Sequence, residues 1–309
     1  MMIKIKYFLC SAMIFTIFIC ASDKKNGNSC MQKNDSVLSL TSGDVSFSID
    51  PSVGGRILTF EINGFDFLTG KSVNQDNYGS TLWPSPQSDW SWPPPAILDA
   101  GEYNVESKSD PVMMMSKIDP TTGWQFEKEF SAGDSNSILL KYSIKNISEK
   151  NKKVAPWEIS RARKCGLLFY PAGEFMTGKK TFPSVDTVRS GGIIWYQDQA
   201  ERPDNHRLSS SDGSEGWLAY AVDGKVFIKK FPDIKPGRQA PGEGEVLYYV
   251  SSTHDYIEIE IQGEYVELKP GEKTEWDVEW IAAEIPSSVK VETGNQKLVE
   301  FVRTVIKNR

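Results

Sequence analysis

The chain has 309 residues, a net charge of −6, 39% hydrophobic residues and 25% charged residues. These values exclude a disordered or fibrous chain, because the apolar fraction is large enough for a packed core. The charge is acidic and no basic stripe alternates with aromatic residues, so nucleic acid is not an expected partner.

The amino terminus has the pattern of an export signal. Two lysines precede an apolar run at residues 7–19, which is short for a membrane span and ends at Cys20. This pattern predicts a signal peptide of the bacterial lipoprotein type at residues 1–20, with lipidation of Cys20, and a polar tether at residues 21–36. Cleavage after Ala21 would instead give a free periplasmic protein. We therefore expect an exported protein, periplasmic or anchored to the outer membrane.

From residue 37 onward, apolar and polar residues alternate in short runs that Gly, Asn, Asp and Pro separate. The clearest hairpin signal is Asn63-Gly64, which lies between two such runs. Roughly sixteen runs follow one another with almost no helical periodicity between them. The pattern predicts an all-β domain at residues 37–285, with the architecture of a large antiparallel sandwich.

The carboxyl-terminal segment, residues 286–309, has a different period. Apolar residues recur three and four positions apart from Leu298 to Ile306, which places them on one side of a helix. We expect a short helix that packs on the sandwich.

Metal and cofactor sites are not predicted. The chain has two histidines and four cysteines, and none of them has the spacing of a metal site. Two cysteines fall in the export signal. Cys30 and Cys165 remain, and the sequence leaves open whether they form a disulfide.

Residues 78–95, YGSTLWPSPQSDWSWPPP, hold three of the nine tryptophans and five of the seventeen prolines. Proline fixes φ and removes a backbone donor, so the segment is expected to be an extended loop and not a central strand. It is either a binding platform, whose rings stack on a ligand, or a plug that covers one face of the core. The candidate binding residues in it are Trp83, Gln87, Asp89, Trp90 and Trp92.

A second long polar stretch at residues 197–216 lacks a strand pattern and contains His206. Loops of this length are functional or disordered, so the stretch is interpreted as a mobile rim or as plain surface.

Carboxylates on predicted strands are the remaining candidates for chemistry. Glu158 is followed by Arg161 and Arg163, which could clamp an anionic or polar group. Glu258 and Glu260 share one strand face, because residues two apart point the same way. Such a pair is either the floor of a cleft or two solvated charges.

Three stretches, taken in this order, resemble the galactose mutarotase-like superfamily, the aldose 1-epimerase fold. They are VGGRILTFEING at residues 53–64, KNISEKNKKVAPW at 145–157, and IEIEIQG at 257–263 with LKPGE at 268–272. The chain is most similar to a group of secreted bacterial proteins within that superfamily. The resemblance implies a β-supersandwich, in agreement with the strand pattern.

The resemblance also implies roles for individual residues. Sugar epimerases of this fold use a late-strand glutamate as the base on the anomeric hydroxyl, and the context of Glu260 resembles that site. They use a mid-chain histidine as the acid, and here Glu158 stands near the matching position. This departure puts ordinary galactose mutarotase activity in doubt, and His206 is the other candidate acid.

Three functions follow from these expectations. The first is carbohydrate binding in a cleft with the Trp83–Trp92 loop as a wall and Glu158, Arg161 and Glu260 as a floor. The second is sugar epimerisation with Glu260 as the base. The third is a non-catalytic scaffold subunit of an outer-membrane glycan system. The binding interpretation requires that at least one tryptophan of the loop be partly exposed in the same cleft as Glu260.

Overall fold

The computed structural model describes residues 36–176 and 182–309. In these residues the chain forms twenty β-strands and two α-helices, and its strand pairs are antiparallel, as the sequence pattern predicts. The helices are α1 (Ala96–Asp99) and α2 (Gln296–Lys307). The strands are β1 (Leu38–Ser42), β2 (Val45–Asp50), β3 (Arg56–Ile62), β4 (Phe65–Asp66), β5 (Ser80–Ser85), β6 (Asn104–Ser107), β7 (Val112–Met115), β8 (Trp124–Ala132), β9 (Ser137–Asn146), β10 (Lys152–Arg163), β11 (Leu167–Met176), β12 (Val188–Ser190), β13 (Ile193–Gln197), β14 (Arg207–Gly213), β15 (Trp217–Val222), β16 (Lys225–Lys230), β17 (Val246–Val250), β18 (Tyr256–Gln262), β19 (Val266–Leu268) and β20 (Lys273–Glu284).

The strands form two packed layers. In the first sheet the order is β1, β2, β3, β5, β10, β18, β17 and β14. In the second sheet it is β6, β7, β8, β9, β20, β16, β15, β11, β13 and β12. Strand β11 also pairs with β14 and therefore joins the two sheets.

The main core lies between the sheets and is rich in aromatic side chains. Phe47 and Phe60 of the first sheet pack against Trp280 of the second, with ring centres 5.9 Å and 5.3 Å apart. Such tilted and edge-to-face contacts between buried rings stabilise the sandwich beyond the burial of apolar area. The core faces of the strands are thereby occupied, and the outer faces remain for other contacts.

Helix α2 covers the outer face of the second sheet. Leu298, Val299 and Val302 are buried there in a second apolar cluster with Trp195 and Trp217. The helix begins after Asn295, whose side chain accepts a hydrogen bond from the Lys297 amide at 3.1 Å, as a capping residue does. The predicted carboxyl-terminal helix is therefore confirmed, and the outer face of the first sheet is the one that α2 leaves uncovered.

The expectation of a loop is wrong for part of the Trp-Pro segment, because β5 is a strand next to β10. Pro84 lies directly opposite Pro156 in this pair. The Arg161 amide donates to the Gly79 carbonyl oxygen in the same ladder. Because hydrogen-bonded and non-hydrogen-bonded pairs alternate, Pro84 and Pro156 form a non-hydrogen-bonded pair, and neither has to donate to the other between β5 and β10. The proline-rich part after β5 is irregular apart from a short 3₁₀ turn at Gln87–Asp89.

The second expected loop also contains a strand, β14. Its serines at positions 209–211 are buried, and Ser211 Oγ lies 2.5 Å from Tyr170 Oη. Hydrogen bonding makes this burial possible, although the polar composition hides the strand in the sequence.

Cys165 is exposed and not in a disulfide. Cys20 and Cys30 lie outside the described residues. Neither α-helix in the described part is long and apolar enough to span a membrane.

Candidate functional site

A cavity of about 500 Å³ lies on the outer face of the first sheet. Side chains alternate along each strand, so the residues that point away from the core on β5, β10, β18, β17 and β14 meet there. Its aromatic lining consists of Trp83, Trp92, Trp157, Phe182, Tyr249 and Tyr256. Its polar lining consists of Asn77, Gln87, His206, Glu258 and Glu260.

Three tryptophans, Trp83, Trp92 and Trp157, line one wall of the cavity, and Trp90 packs against them from outside it. Trp83 and Trp157 are opposite each other in the β5–β10 register, and their rings meet edge to face at 5.3 Å. Trp90 and Trp92 each pack against the Trp83 ring at 5.8 Å. Trp83 and Trp157 are buried, whereas Trp92 is 57% exposed. The wall therefore has a fixed base and one indole open to solvent.

Trp83 is held in place from below. Its Nε1–H donates to Asp99 Oδ1 at 2.7 Å, and Asp99 also pairs with Arg56 at 3.1 Å. The guanidinium of Arg161 lies 5.2 Å from the centre of the Trp83 ring, a cation–π distance. These contacts fix the ring against which Trp92 rests.

Two carboxylates from β18 lie on the cavity floor. Glu260 Oε2 accepts a hydrogen bond from Trp157 Nε1 at 2.8 Å. Glu258 Oε1 pairs with Arg161 Nε at 2.8 Å, and Arg161 Nη1 donates to Thr81 at 2.9 Å. Arg161 does not line the cavity itself, but it orients Glu258, which does. The alternation predicted for Glu258 and Glu260 thus holds, and both face the cleft.

His206 lies at the opposite side of the cavity from the tryptophans. Its Nδ1 is 2.5 Å from Tyr249 Oη and 3.1 Å from the amide nitrogen of Ser252. A backbone amide can only donate, so Nδ1 accepts, and the proton of the neutral imidazole is on Nε2. His206 can therefore offer an N–H donor to a ligand.

The two tyrosines of the lining remain protonated. Burial raises the pKa of Tyr249 above its ordinary value, and Glu258 raises it further. Burial also raises the pKa of Tyr256 to about 12, with Glu258 again adding to the shift. Both phenols are consequently neutral hydroxyl groups that can donate hydrogen bonds.

Glu158 is not in the cavity, contrary to the sequence analysis. Trp157 points into the cleft, so the next residue on the strand points into the core. There Glu158 is fully buried, accepts hydrogen bonds from Tyr142 Oη at 2.7 Å and Trp280 Nε1 at 3.0 Å, and pairs with Lys229 at 2.9 Å. Glu158 and Glu260 lie on opposite faces of one sheet and cannot act on one substrate.

Three other predicted binding residues are near the cavity without lining it. Arg163 is exposed, donates to the carbonyl oxygen of Asp66 at 2.5 Å and lies over the Phe65 ring. Asp89 is exposed on the 3₁₀ turn. Trp90 is half-buried, and its Nε1–H donates to the carbonyl oxygen of Pro84 at 2.8 Å. Gln87 of the same turn does line the cavity.

Several lining residues were not among the sequence candidates. Tyr256 has the same strand parity as Glu258 and Glu260, and Trp157 has the opposite parity to Glu158, so alternation could have identified both. Tyr249 and Phe182 had no such signal. In the part of the chain that is described, no three or more His, Cys, Asp or Glu side chains are grouped to hold a metal ion.

Solved structures similar to this one share its fold. A putative aldose 1-epimerase from Escherichia coli K12 aligns with a TM-score of 0.54 and 11% identity over 81% of this chain and 99% of its own. A galactose mutarotase-like protein from Lactobacillus casei aligns with a TM-score of 0.56 and 11% identity over 80% of this chain and 100% of its own. A TPR-domain containing protein from Parabacteroides distasonis has a TM-score of 0.59 and 16% identity, over 82% of this chain and 48% of its own.

The first two alignments confirm the expected galactose mutarotase-like fold, and at such identities all three extend to the fold alone. A search of curated proteins finds no match. The family described as Domain of unknown function (DUF4380) matches residues 36–283, which cover the sandwich up to the penultimate residue of β20. The chain therefore belongs to the DUF4380 family.

Proposed function

We propose that the protein binds carbohydrate in the cavity on the first sheet. The observation that carries this proposal is the pairing of indole rings, above all exposed Trp92, with carboxylates and neutral donors around one space of about 500 Å³. Sugars have apolar C–H faces that stack on aromatic rings and hydroxyl groups that need both donors and acceptors. The cavity offers each of these contacts.

The chemistry of the polar groups suits hydroxyl recognition. Glu258 and Glu260 accept hydrogen bonds, whereas His206 through Nε2 and Tyr256 through its hydroxyl donate them. Each group is already oriented by a protein partner or by burial, so a ligand meets a preformed set of contacts and little side-chain entropy is lost on binding. The names of the similar structures, a putative aldose 1-epimerase and a galactose mutarotase-like protein, support a sugar as the ligand class.

A glycan array followed by isothermal titration calorimetry tests the proposal. We expect at least one sugar to bind, and we expect Glu260→Gln to weaken it about tenfold or more; Trp92→Ala should cause a similar loss for ligands long enough to contact the exposed indole. Ile118→Ala is the matched control, because Ile118 is also an exposed apolar residue but does not line the cavity. Absence of binding by the parent protein across a broad panel would refute the function.

Anomer exchange is the second candidate, favoured by the presence of Glu260 and His206 in one cavity. Glu260 is level with Ser210 two strands away, and His206 lies four residues before Ser210 along the chain. If the strand spacing continues to His206, the Cα atoms of Glu260 and His206 are about 16 Å apart. A base on O1 and an acid on the ring oxygen act on neighbouring atoms of one sugar, so catalysis requires both side chains to extend toward each other across this distance, whereas binding does not. NMR exchange spectroscopy on free aldoses distinguishes binding from catalysis. We expect the protein not to accelerate anomer exchange. An acceleration that Glu260→Gln abolishes would establish that the protein is an enzyme.

We also propose export with a lipid anchor on Cys20, on the basis of the amino-terminal sequence. Metabolic labelling with a palmitate analogue should mark the wild-type protein and not Cys20→Ala. Unlabelled wild type in the periplasmic fraction would favour the alternative of a free periplasmic protein, and a labelled Cys20→Ala protein would mean that the lipid is on another residue.

A further inference from the structure

The cavity is larger than one sugar. A hexose occupies about 200 Å³ at the packing density of protein interiors, about 0.74. The cavity measures about 500 Å³, so it has room for two such units. A single hexose would leave more than half of the space to water.

The cavity is also wider than one sugar. Its lining extends from Trp83 on β5 to Leu208 on β14, four strand-to-strand steps across the sheet. Four steps span about 19 Å, whereas a pyranose with its hydroxyl groups covers about two strand spacings. A ligand that touches both ends is therefore a chain of at least two sugar units.

The contacts on the two sides of this span differ in character. The side at β17 and β14 carries His206 and Tyr249, with Glu258 and Glu260 next to it on β18. These groups are fixed by hydrogen bonds or an ion pair and are suited to reading the hydroxyls of one unit. The other side carries Trp92 and Gln87, which lie at the solvent-facing edge of the cavity.

Trp92 has the properties of a stacking surface for a second unit. It is 57% exposed, and it meets Trp83 edge-on, with the ring planes at 76°. In that arrangement Trp83 supports one side of Trp92 and leaves its remaining surface accessible, so stacking needs no rearrangement. Trp83 in turn is fixed by its hydrogen bond to Asp99.

We propose that the cavity takes an oligosaccharide of two or more units, with one unit bound over Glu258, Glu260 and His206 and the next stacked on Trp92. This assignment rests on the proposed carbohydrate-binding function and adds the size of the ligand and a division of the cavity into two subsites. The inner subsite selects by hydrogen bonds, and the outer subsite adds affinity by stacking.

Calorimetric titration with matched series tests the assignment. The probes are glucose, cellobiose and cellotriose; glucose, maltose and maltotriose; galactose, galactobiose and galactotriose; and mannose, mannobiose and mannotriose. In at least one series we expect the disaccharide to bind about tenfold more tightly than the monosaccharide. In the same series we expect Trp92→Ala to remove that gain and to leave the monosaccharide affinity within about twofold. Ile118→Ala should change neither affinity.

The possible outcomes separate this inference from the function on which it rests. Equal affinity for monosaccharide and disaccharide in every series that binds would overturn the two-subsite assignment and leave carbohydrate binding intact. An equal loss of monosaccharide and disaccharide affinity in Trp92→Ala would overturn it as well, because Trp92 would then belong to the inner subsite. Failure of every probe, together with a blank glycan array, would overturn the proposed function itself.

Discussion

Replacing Glu158 by leucine tests its assignment to the core. The carboxylate is fully buried and accepts from Tyr142 and Trp280, and it is the acidic partner of Lys229, which is itself buried. Glu158→Leu leaves two orphaned donors and an unpaired buried ammonium. Removal of one partner of a buried pair typically lowers the free energy of unfolding by about 3–5 kcal/mol. Urea denaturation followed by circular dichroism measures this loss.

A second substitution separates the charge from the hydrogen bonds. Glu158→Leu with Lys229→Met removes the unpaired ammonium but not the two orphaned donors, so we expect it to regain about 2 kcal/mol or more of the loss. Glu127→Leu is the matched control, because its ion pair with Lys273 at 3.1 Å is exposed and should be worth less than about 1 kcal/mol. A double variant no more stable than the single one would refute the assignment.

The pH dependence gives an independent check. Burial lowers the pKa of Lys229, and Glu158 opposes that shift. Without Glu158 the pKa of Lys229 in the folded state falls further, so above it the unfolded state binds more protons than the folded state. Stability then rises with pH. The loss caused by Glu158→Leu should therefore shrink as the pH increases, and a loss that grew with pH would contradict this reasoning.

Three further predictions follow from contacts in the structure. Burial raises the pKa of Glu245 from 4.5 to about 8, so the folded state holds the extra proton and the free energy of unfolding should fall as the pH rises between these values. In urea titrations, Glu245→Gln should reduce this fall by up to about 1.4 kcal/mol per pH unit. An unchanged dependence of stability on pH would contradict the shift. Tyr249→Phe should keep the proton of His206 on Nε2, because the Ser252 amide still donates to Nδ1. Sugar affinity should fall, because the imidazole loses its hydrogen bond with the Tyr249 hydroxyl. Imidazole ¹⁵N NMR and calorimetry measure the two effects, and a switch of tautomer would refute the assignment. Leu298→Ala should lower the free energy of unfolding by about 2–5 kcal/mol without changing sugar affinity, since Leu298 lies on the buried face of α2. A loss below about 1 kcal/mol would mean that the helix is not part of the folded unit.

The fold was accessible from sequence because alternation with period two survives in most strands. The prediction of strands failed where the amino-acid composition concealed a strand. Pro84 in β5 looked incompatible with a central strand, but Pro156 on β10 stands opposite it, and no local pattern in either segment shows that the two prolines meet. The serines of β14 looked like a loop, and only their hydrogen-bond partners on other strands make them a buried strand.

The site was accessible only in part, for a related reason. Parity along one strand correctly grouped Glu258 with Glu260, and the same rule applied to β10 would have exchanged Glu158 for Trp157. The contribution of His206 depends on Tyr249 and Ser252, which are more than forty residues away in the chain. Pairing between strands that are distant in sequence brings such groups together, and local sequence patterns do not show which residues of those strands are paired.

The exposure of Trp92 makes the protein its own optical reporter. All nine tryptophans lie in the described residues, and Trp92 is the only one that is largely solvent-exposed. An indole in water emits at longer wavelength and is reached by collisional quenchers such as acrylamide, whereas indoles in the core are shielded. Occupation of the cavity beside Trp92 should therefore shift the emission to the blue and reduce quenching, and Trp92→Ala should remove that response. Ligands can thus be screened by intrinsic fluorescence, with no label attached to the protein or to the sugar.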